Sequence, residues 1–313
     1  MLENIKHIHC LGIGGIGVSA LAQLWQAQGK EVSGSDAEES EITQLLEQSG
    51  VQVNIGTLPT TDYILHTDLI VYSDAVPEDH PERVAARKRG IPEISYAQAL
   101  GQVSREYRTI VVTGTHGKST TTALLGLMLE AAGLDPLVIV GSKVPGWPLG
   151  NLRLPQSPSP RSSPSPDLAS ARSPSPQGRG EGEGRTPLRD KAYFVVEGDD
   201  YRDHFLELDP YAVVITSIEH DHPDYFRDLA HTVESFRTLI EKVKEDGFVV
   251  LNEDDLGCRQ LAESMSHSPF RPKRRMITYG ETSEMFLKLQ LQVPGVFNRY
   301  NATASATAAR ELG

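Results

Sequence analysis

Thr109-Ile-Val-Val-Thr-Gly114-Thr-His-Gly117-Lys118-Ser119-Thr-Thr-Thr122 is the stretch whose reading decides the fold. Ile110 to Val112 are β-branched and apolar, which suits a strand covered on both faces. Gly114 and Gly117 then let the backbone turn tightly and approach a ligand closely. Lys118 brings a positive charge and Ser119 a hydroxyl suited to magnesium. Leu124, Leu127, Met128 and Ala131 mark one face of a following helix, which Gly133 and Pro136 stop. Strand, glycine turn, Lys-Ser and helix N-terminus together make a phosphate cradle. The spacing is shorter than the common phosphate loop, because Val112 stands where its first glycine would be. A surface turn is the alternative for Gly-x-x-Gly-Lys-Ser alone; the flanking strand and helix favour a nucleotide site.

Upstream of this stretch, residues 5–11 alternate well enough for a first strand entered directly from the N-terminus. Gly12-Ile-Gly14-Gly15-Ile16-Gly17 follows, and then a helix with Val18, Leu21, Ala22 and Trp25 on one face and Gly29 at its end. Glu31 to Ser35 forms a second strand, ending at Asp36. This βαβ opening, with an acidic residue about 20 positions past the glycines, is the arrangement that holds a diphosphate and a ribose. Read alone, it serves a dinucleotide, another nucleotide, or a close structural turn. A second phosphate loop about 100 residues later argues against a simple dehydrogenase, which needs no Lys-Ser loop with its own magnesium. Strands at Val51–Val53 and Leu69–Ser73 and helices at Glu41–Ser49 and Pro81–Arg89 complete the first domain. The fold class is α/β: a Rossmann-like, doubly wound domain over 1–104, then a phosphate-loop nucleotide-binding domain with a mostly parallel sheet over 105–313.

The second domain is interrupted. Residues 154–187 carry Ser-Pro-Ser-Pro three times and then a Gly/Glu run, too rich in Pro, Ser and Gly to bury a core, so a disordered loop is expected. Strands resume at Lys191–Val196 and Tyr211–Thr216. Each ends in an acidic cluster, Glu197-Gly-Asp199-Asp200 and Glu219-His220-Asp221-His222-Pro-Asp224. Open α/β sheets collect ligands at the C-terminal ends of their strands, so both clusters suit magnesium beside the Lys-Ser loop. Helix caps or solvated turns are the plainer alternative. A helix over Leu229–Val243, a strand over Phe248–Leu251 and an alanine-rich helix ending at Leu312 follow. Asn252-Glu-Asp254-Asp255 suggests no role.

The chain has 313 residues, enough for two domains, and a net charge of −12, which opposes a broad nucleic-acid surface. The basic cluster Arg271–Arg275 reads as a solvated loop. No apolar run approaches the roughly 20 residues of a membrane span, and no signal-peptide pattern is present. Cys10 and Cys258 are too few for a disulfide framework. A reducing, cytoplasmic setting without nucleic-acid or membrane partners is expected.

With Gly12–Gly17, Ser33-Gly-Ser35-Asp36, Gly114–Ser119, Glu197, Ile218-Glu-His-Asp-His222 and Pro294-Gly with Asn298 and Asn301, the chain resembles the Mur ligases. These are the ATP-dependent amide-forming enzymes of peptidoglycan synthesis. The paired glycine motifs match the branch that handles UDP-N-acetylmuramate, joining it to L-alanine or, in murein recycling, to a tripeptide. The resemblance implies that Gly12, Gly14, Gly15, Ile16, Gly17, Ser35 and Asp36 hold the UDP-sugar. It places Gly114, Thr115, His116, Gly117, Lys118, Ser119, Thr120, Asn298 and Asn301 on ATP. Lys118 would neutralise phosphate charge, Ser119 and Glu197 would hold one Mg2+, and His222 would help hold a second near an acyl phosphate. The family pattern Ala-Asp-Glu-Ser-Asp-x-Ser-Phe-Leu reads Gly198-Asp-Asp200-Tyr-Arg202-Asp-His204-Phe-Leu206 here, and a usual His is Phe297. The amino-acid-binding third domain is expected to be absent or separately encoded, so the chain should bind ligands yet turn over poorly. A non-catalytic nucleotide-binding fragment is the reading from another class.

Overall fold

The computed structural model describes residues 2–56, 66–156, 192–266 and 275–313. The Ser-Pro repeats, and the basic cluster up to Arg274, lie outside the described residues. The first sheet has the order β3-β2-β1-β4-β5, all parallel, from β1 (His7–Leu11), β2 (Glu31–Asp36), β3 (Gln52–Ile55), β4 (Leu69–Tyr72) and β5 (Glu93–Ser95). Strand order reverses beside β1, so a crevice opens at the C-terminal ends of β1 and β4, where such sheets bind ligands. The helices are α1 (Ile16–Ala27), α2 (Glu41–Gln48), α3 (Pro81–Lys88) and α4 (Tyr96–Ser104). Side-chain caps fix two of their starts: Ser40 and Thr43 close a capping box at α2, Ser95 and Gln98 at α4. The N-terminus makes a 3-10 turn at Leu2–Asn4 before β1, which the sequence did not suggest.

The second sheet has the order β12-β11-β10-β6-β9-β7-β8. Its strands are β6 (Arg108–Thr113), β7 (Leu137–Ile139), β8 (Leu152–Arg153), β9 (Tyr193–Glu197), β10 (Ala212–Ile215), β11 (Phe248–Asn252) and β12 (Arg275–Tyr279). All pairings are parallel except β7 with β8 at the edge. Around it lie α5 (Lys118–Ala131), α6 (Leu229–Glu241), α7 (Leu256–Ser266), α8 (Glu284–Lys288) and α9 (Val296–Leu312). Side chains alternate across β6: Ile110 and Val112 pack with Leu125, Leu129 and Ala304 under α5 and α9. Val111 faces the opposite layer, with Phe236 and Leu239 of α6. Both faces are therefore covered, and β6 needs an unbroken apolar run.

That second layer continues into the first domain. Leu100 and Val103 of α4 share one buried cluster with Phe205, Leu208 and Val111 as well as with Leu21 and Trp25. A Cβ at Gly101 would overlap the carbonyl of Glu207, so the bare helix lets the 3-10 segment Tyr201–Glu207 lie directly on α4. Leu154, placed in the insertion by composition, packs against the shared core, and the amide of Gln156 donates to Asp135 at 3.0 Å. Among the described residues no helix is long and apolar enough to cross a membrane. Cys10 and Cys258 are buried free thiols, and burial pushes the Cys10 thiol up to about 12, which leaves it inert.

Candidate functional site

The phosphate loop leaves β6 at Thr113 and is shaped by its glycines. Gly114 (φ 131°) and Gly117 (φ 82°) are both left-handed, and a Cβ at either would strike Thr216 or Asn301 respectively. Gly117 is the N-cap of α5 and supplies no capping side chain, so the first-turn amides of that helix face outward for an anion. The loop exiting β10 pins its other side. The amide of Thr115 donates to the Ser217 carbonyl at 2.9 Å, and that of His116 to Ser217 Oγ at 3.1 Å. Thr115 and His116 therefore hold the loop through their backbones, while the His116 ring is exposed, 3.7 Å from Glu219. Thr120 is exposed on the first turn of α5.

Lys118 Nζ donates to Asp200 Oδ1 at 3.1 Å, and the Asp200 side chain is 2% exposed. Ser119 Oγ donates to Glu197 Oε1 at 3.0 Å, and the Gly141 amide donates to Glu197 Oε2 at 2.6 Å. A Cβ on Gly141 would come 2.8 Å from that carboxylate, so residue 141 clasps it only as glycine. Gly141 behind Glu197 was not marked in the sequence as part of the site, and Asp200, read there in an acidic cluster suited to magnesium, meets Lys118. The residues fit a magnesium nucleotide: an uncapped helix start, two Cβ-less turns, and a hydroxyl paired with a carboxylate. Ser119 and Glu197 are the residues that would hold the ion.

His222, expected to help hold a second magnesium, is held by its own neighbours. His222 has a left-handed backbone (φ 54°), and its ring packs on Tyr201 at 4.7 Å, with Asp221 at 3.8 Å. Among the described residues no group of three or more His, Cys, Asp or Glu side chains is arranged to hold a metal. The Tyr201–Glu207 segment shapes these surroundings. Arg202 (φ 51°) and Asp203 (φ 60°) are both left-handed, and Tyr225 (2.6 Å) and Ser235 donate to Asp203 to keep them so. Tyr201 is thereby turned toward His222 and donates to Asp224 at 2.7 Å. His220 is tied to the Phe226 carbonyl at 2.8 Å. At the other end of the site Asn301 lies against Gly117, and Ser305 donates to the Thr121 carbonyl at 3.0 Å, docking α9 on α5. Asn298, one turn earlier and half-buried, donates to the Pro294 carbonyl at 2.7 Å.

The first glycine loop lines a cavity of about 700 Å³ with Ser35, Asp36, Ser73 and His80. Gly14 donates its amide to Asp36 Oδ2 at 2.8 Å, so Asp36 braces the loop. Ser35 donates inward to buried Glu82 at 2.6 Å, with His9 3.6 Å away. Burial alone would raise the Glu82 carboxyl, but hydrogen bonds from His9 and Ser35 outweigh it and lower it. A second cavity, of about 260 Å³, joins the two loops: Ile16 and Gly17 line it from one domain, Lys118, Glu197 and His204 from the other. Gly17 meets the Tyr96 ring, which a Cβ would approach to 2.5 Å.

Comparison with known proteins follows this division. The pattern of the Mur ligase family, catalytic domain, matches residues 7–108, and that of the Mur ligase middle domain matches residues 112–309. The chain belongs to the Mur ligase family. Curated relatives include the UDP-N-acetylmuramate–L-alanine ligases of Alkaliphilus metalliredigens (30% identical, 99% of this chain, 64% of the relative) and Acetivibrio thermocellus (32%, 99% and 63%). The chain thus spans somewhat under two thirds of the length of these relatives. Among solved structures it is similar to the UDP-N-acetylmuramate:L-alanyl-gamma-D-glutamyl-meso-diaminopimelate ligase of Neisseria meningitides, with TM-score 0.78, 26% identity, and coverage of 99% and 94%. It is also similar to the UDP-N-acetylmuramate-alanine ligase of Thermotoga maritima, with TM-score 0.73, 25% identity, and coverage of 98% and 65%.

For a Mur ligase, the departures at 198–206 acquire a structural meaning. Gly198 lies tightly against Val111, where a Cβ would come within 2.7 Å. His204 bridges Asp199 (3.1 Å) and Asp74 (2.6 Å), the latter on the first domain. Hydrogen bonding to Asp199 raises the His204 imidazole above its usual range, with Asp74 adding to the effect, and the Asp199 carboxyl is held low in return. Phe297, in place of the usual His, is exposed on the first turn of α9.

Proposed function

We propose that the chain binds UDP-N-acetylmuramate on the first glycine loop and magnesium ATP on the second, as the nucleotide-binding part of an ATP-dependent ligase. Domains over 1–104 and 105–313 would each carry one nucleotide. The observation that carries this is the shared cavity: Gly17 of one loop and Lys118 of the other line the same space of about 260 Å³. A carboxylate reaching in from the sugar nucleotide would meet the terminal phosphoryl group there. Its oxygen takes the phosphoryl group, ADP leaves, an amine attacks the acyl phosphate, and inorganic phosphate departs with formation of the amide. Positioning and charge neutralisation provide most of such catalysis. Lys118 neutralises phosphate charge, the first-turn amides of α5 orient it, and Ser119 with Glu197 places the ion. Bound magnesium withdraws charge from the phosphate oxygens.

The curated relatives, UDP-N-acetylmuramate–L-alanine ligases, support L-alanine as the amine, delivered by a third domain in the same or a separate chain. A second reading, addition of a tripeptide, is favoured by the likeness to the Neisseria structure. A cytoplasmic setting goes with this reading. The test is a titration of magnesium ATP and of UDP-N-acetylmuramate into the chain. Both should bind, and Lys118→Ala should weaken ATP at least about tenfold while sparing the sugar nucleotide. Unchanged ATP affinity in that variant would refute the loop assignment. Adding a third domain with L-alanine or the tripeptide, and following phosphate release, separates the two amines.

A further inference from the structure

Asp74 sits on the loop after β4, between Ser73 and Ala75, and both neighbours line the cavity of the first glycine loop. His204 Nε2 reaches it at 2.6 Å from the other domain, while His204 Nδ1 meets Asp199 at 3.1 Å. Asp199 is in turn flanked by the residues that touch the phosphate loop: Glu197, which accepts from Ser119, and Asp200, which accepts from Lys118. One imidazole thus stands between the wall of the sugar-nucleotide pocket and the four-residue segment that sets the phosphate loop. His204 also lines the joining cavity, so it lies beside the place where the two ligands would meet.

We propose that His204 is a positioning residue that couples the two nucleotide sites, holding Asp74 of the first domain and Asp199 of the second in register. This rests on the assignment of the two nucleotides above. Physically, a ligand that fixes the Ser73–Ala75 wall fixes Asp74, and with it the imidazole and Asp199. The Glu197–Asp200 segment is then ordered before ATP arrives, so ATP binds tighter, and by linkage the reverse holds equally. The other groups facing the ring are the Tyr201 ring, edge-on at 6.3 Å, and Arg202, whose charge opposes that of the imidazolium. Lys118 acts on Asp199 from α5 in the same sense as His204. None of them replaces the bridge to Asp74, because each belongs to the second domain.

The experiment uses the full 313-residue chain. The affinity for magnesium AMP-PNP, a non-hydrolysable ATP analogue, is measured with and without saturating UDP-N-acetylmuramate. Wild type should show roughly tenfold tighter binding of the analogue in the presence of the sugar nucleotide. His204→Ala and Asp74→Ala should each shrink that ratio to within about twofold, and Asp74→Ala, which lies outside both cavities, should leave the affinity for either ligand alone within about threefold. The double variant should lose no more than either single one, because one contact is removed in all three. Independent binding of the two ligands to wild type, an undiminished ratio in the Asp74 variant, or additive losses in the double variant would each overturn the proposal. Failure of wild type to bind either ligand alone would instead sink the functional assignment. The exposed loop position of Asp74 keeps the test available should His204→Ala not fold.

Discussion

Gly117→Ala tests the phosphate loop where its geometry is least forgiving. Residue 117 is the left-handed N-cap of α5, with φ 82° and ψ −1°. An L-residue in that region costs about 1–2 kcal/mol, a penalty that cannot relax while the loop keeps its shape. A new Cβ would also overlap Asn301 Oδ1, on a side chain buried between α9 and the loop. Asn301 can yield by leaving its rotamer, at about 0.5–1.5 kcal/mol. The sum, about 1.5–3.5 kcal/mol, corresponds to a fall in melting temperature of about 3–14 °C for a domain of this size. Differential scanning calorimetry reads the stability, and titration with magnesium ATP reads the loop. Asn301→Ala in the same chain removes the overlap but not the backbone penalty, so the double variant should recover about a third of the lost stability and none of the ATP affinity. If Gly117→Ala melts with wild type and binds ATP as tightly, the backbone drawn here for the loop is wrong.

Three further outcomes can be checked with the same protein. Gly101→Ala should loosen the seam between the domains, because its Cβ would overlap the Glu207 carbonyl; a loss of about 1–3 kcal/mol is expected, with hydrogen exchange rising first in 201–207. Glu197→Gln should abolish the magnesium dependence of ATP binding while lowering stability by only about 1 kcal/mol, since a neutral amide still accepts from Ser119 but turns a donor toward the Gly141 amide. The His204 pairing should depend on pH with a definite sign. Its imidazole is raised above its usual range, so its contribution is complete below the ordinary imidazole range and fades as pH climbs through the folded-state value. The melting-temperature gap between wild type and His204→Gln should therefore be largest below the ordinary imidazole range and shrink as pH rises above it, and a gap that widens would contradict the assignment.

Local patterns were legible. The strand, glycines and Lys-Ser of 110–119 stand in register with a helix, because turn chemistry, apolar periodicity and capping act within a few residues. The pairs that complete the site join residues far apart in the chain: Gly141 with Glu197, Lys118 with Asp200, His204 with Asp74. Topology alone brings them together, so no spacing announces them. Arg202 and Asp203 are left-handed without being glycine or asparagine, and only the hydrogen bonds that Tyr225 and Ser235 make to Asp203 explain it. Hence the packing of His222 on Tyr201 was not legible beforehand. Asp255 shows the same limit: without a role in sequence, it accepts from the Ile218 amide at 3.0 Å and the Cys258 amide at 2.8 Å, tying the β10 exit loop to the start of α7.

Lys118 and Asp200 raise a consequence for any test of the loop. Asp200 is 2% exposed on its side chain, and Lys118 is the cation it meets. Removing one partner of a buried pair leaves a charge without compensation, at about 3–5 kcal/mol, toward the lower figure here because Lys118 is partly exposed. Lys118→Ala therefore perturbs stability as well as phosphate affinity, and a loss of ATP binding in that variant alone has two causes. Lys118→Ala combined with Asp200→Asn removes both charges and should recover at least about 1–2 kcal/mol of stability over the single variant. ATP affinity should stay low in both, because the missing ammonium cannot be replaced by an uncharged neighbour. If the double variant regains ATP affinity along with stability, Lys118 served only to neutralise Asp200, and the phosphate would have to be held by the helix amides alone.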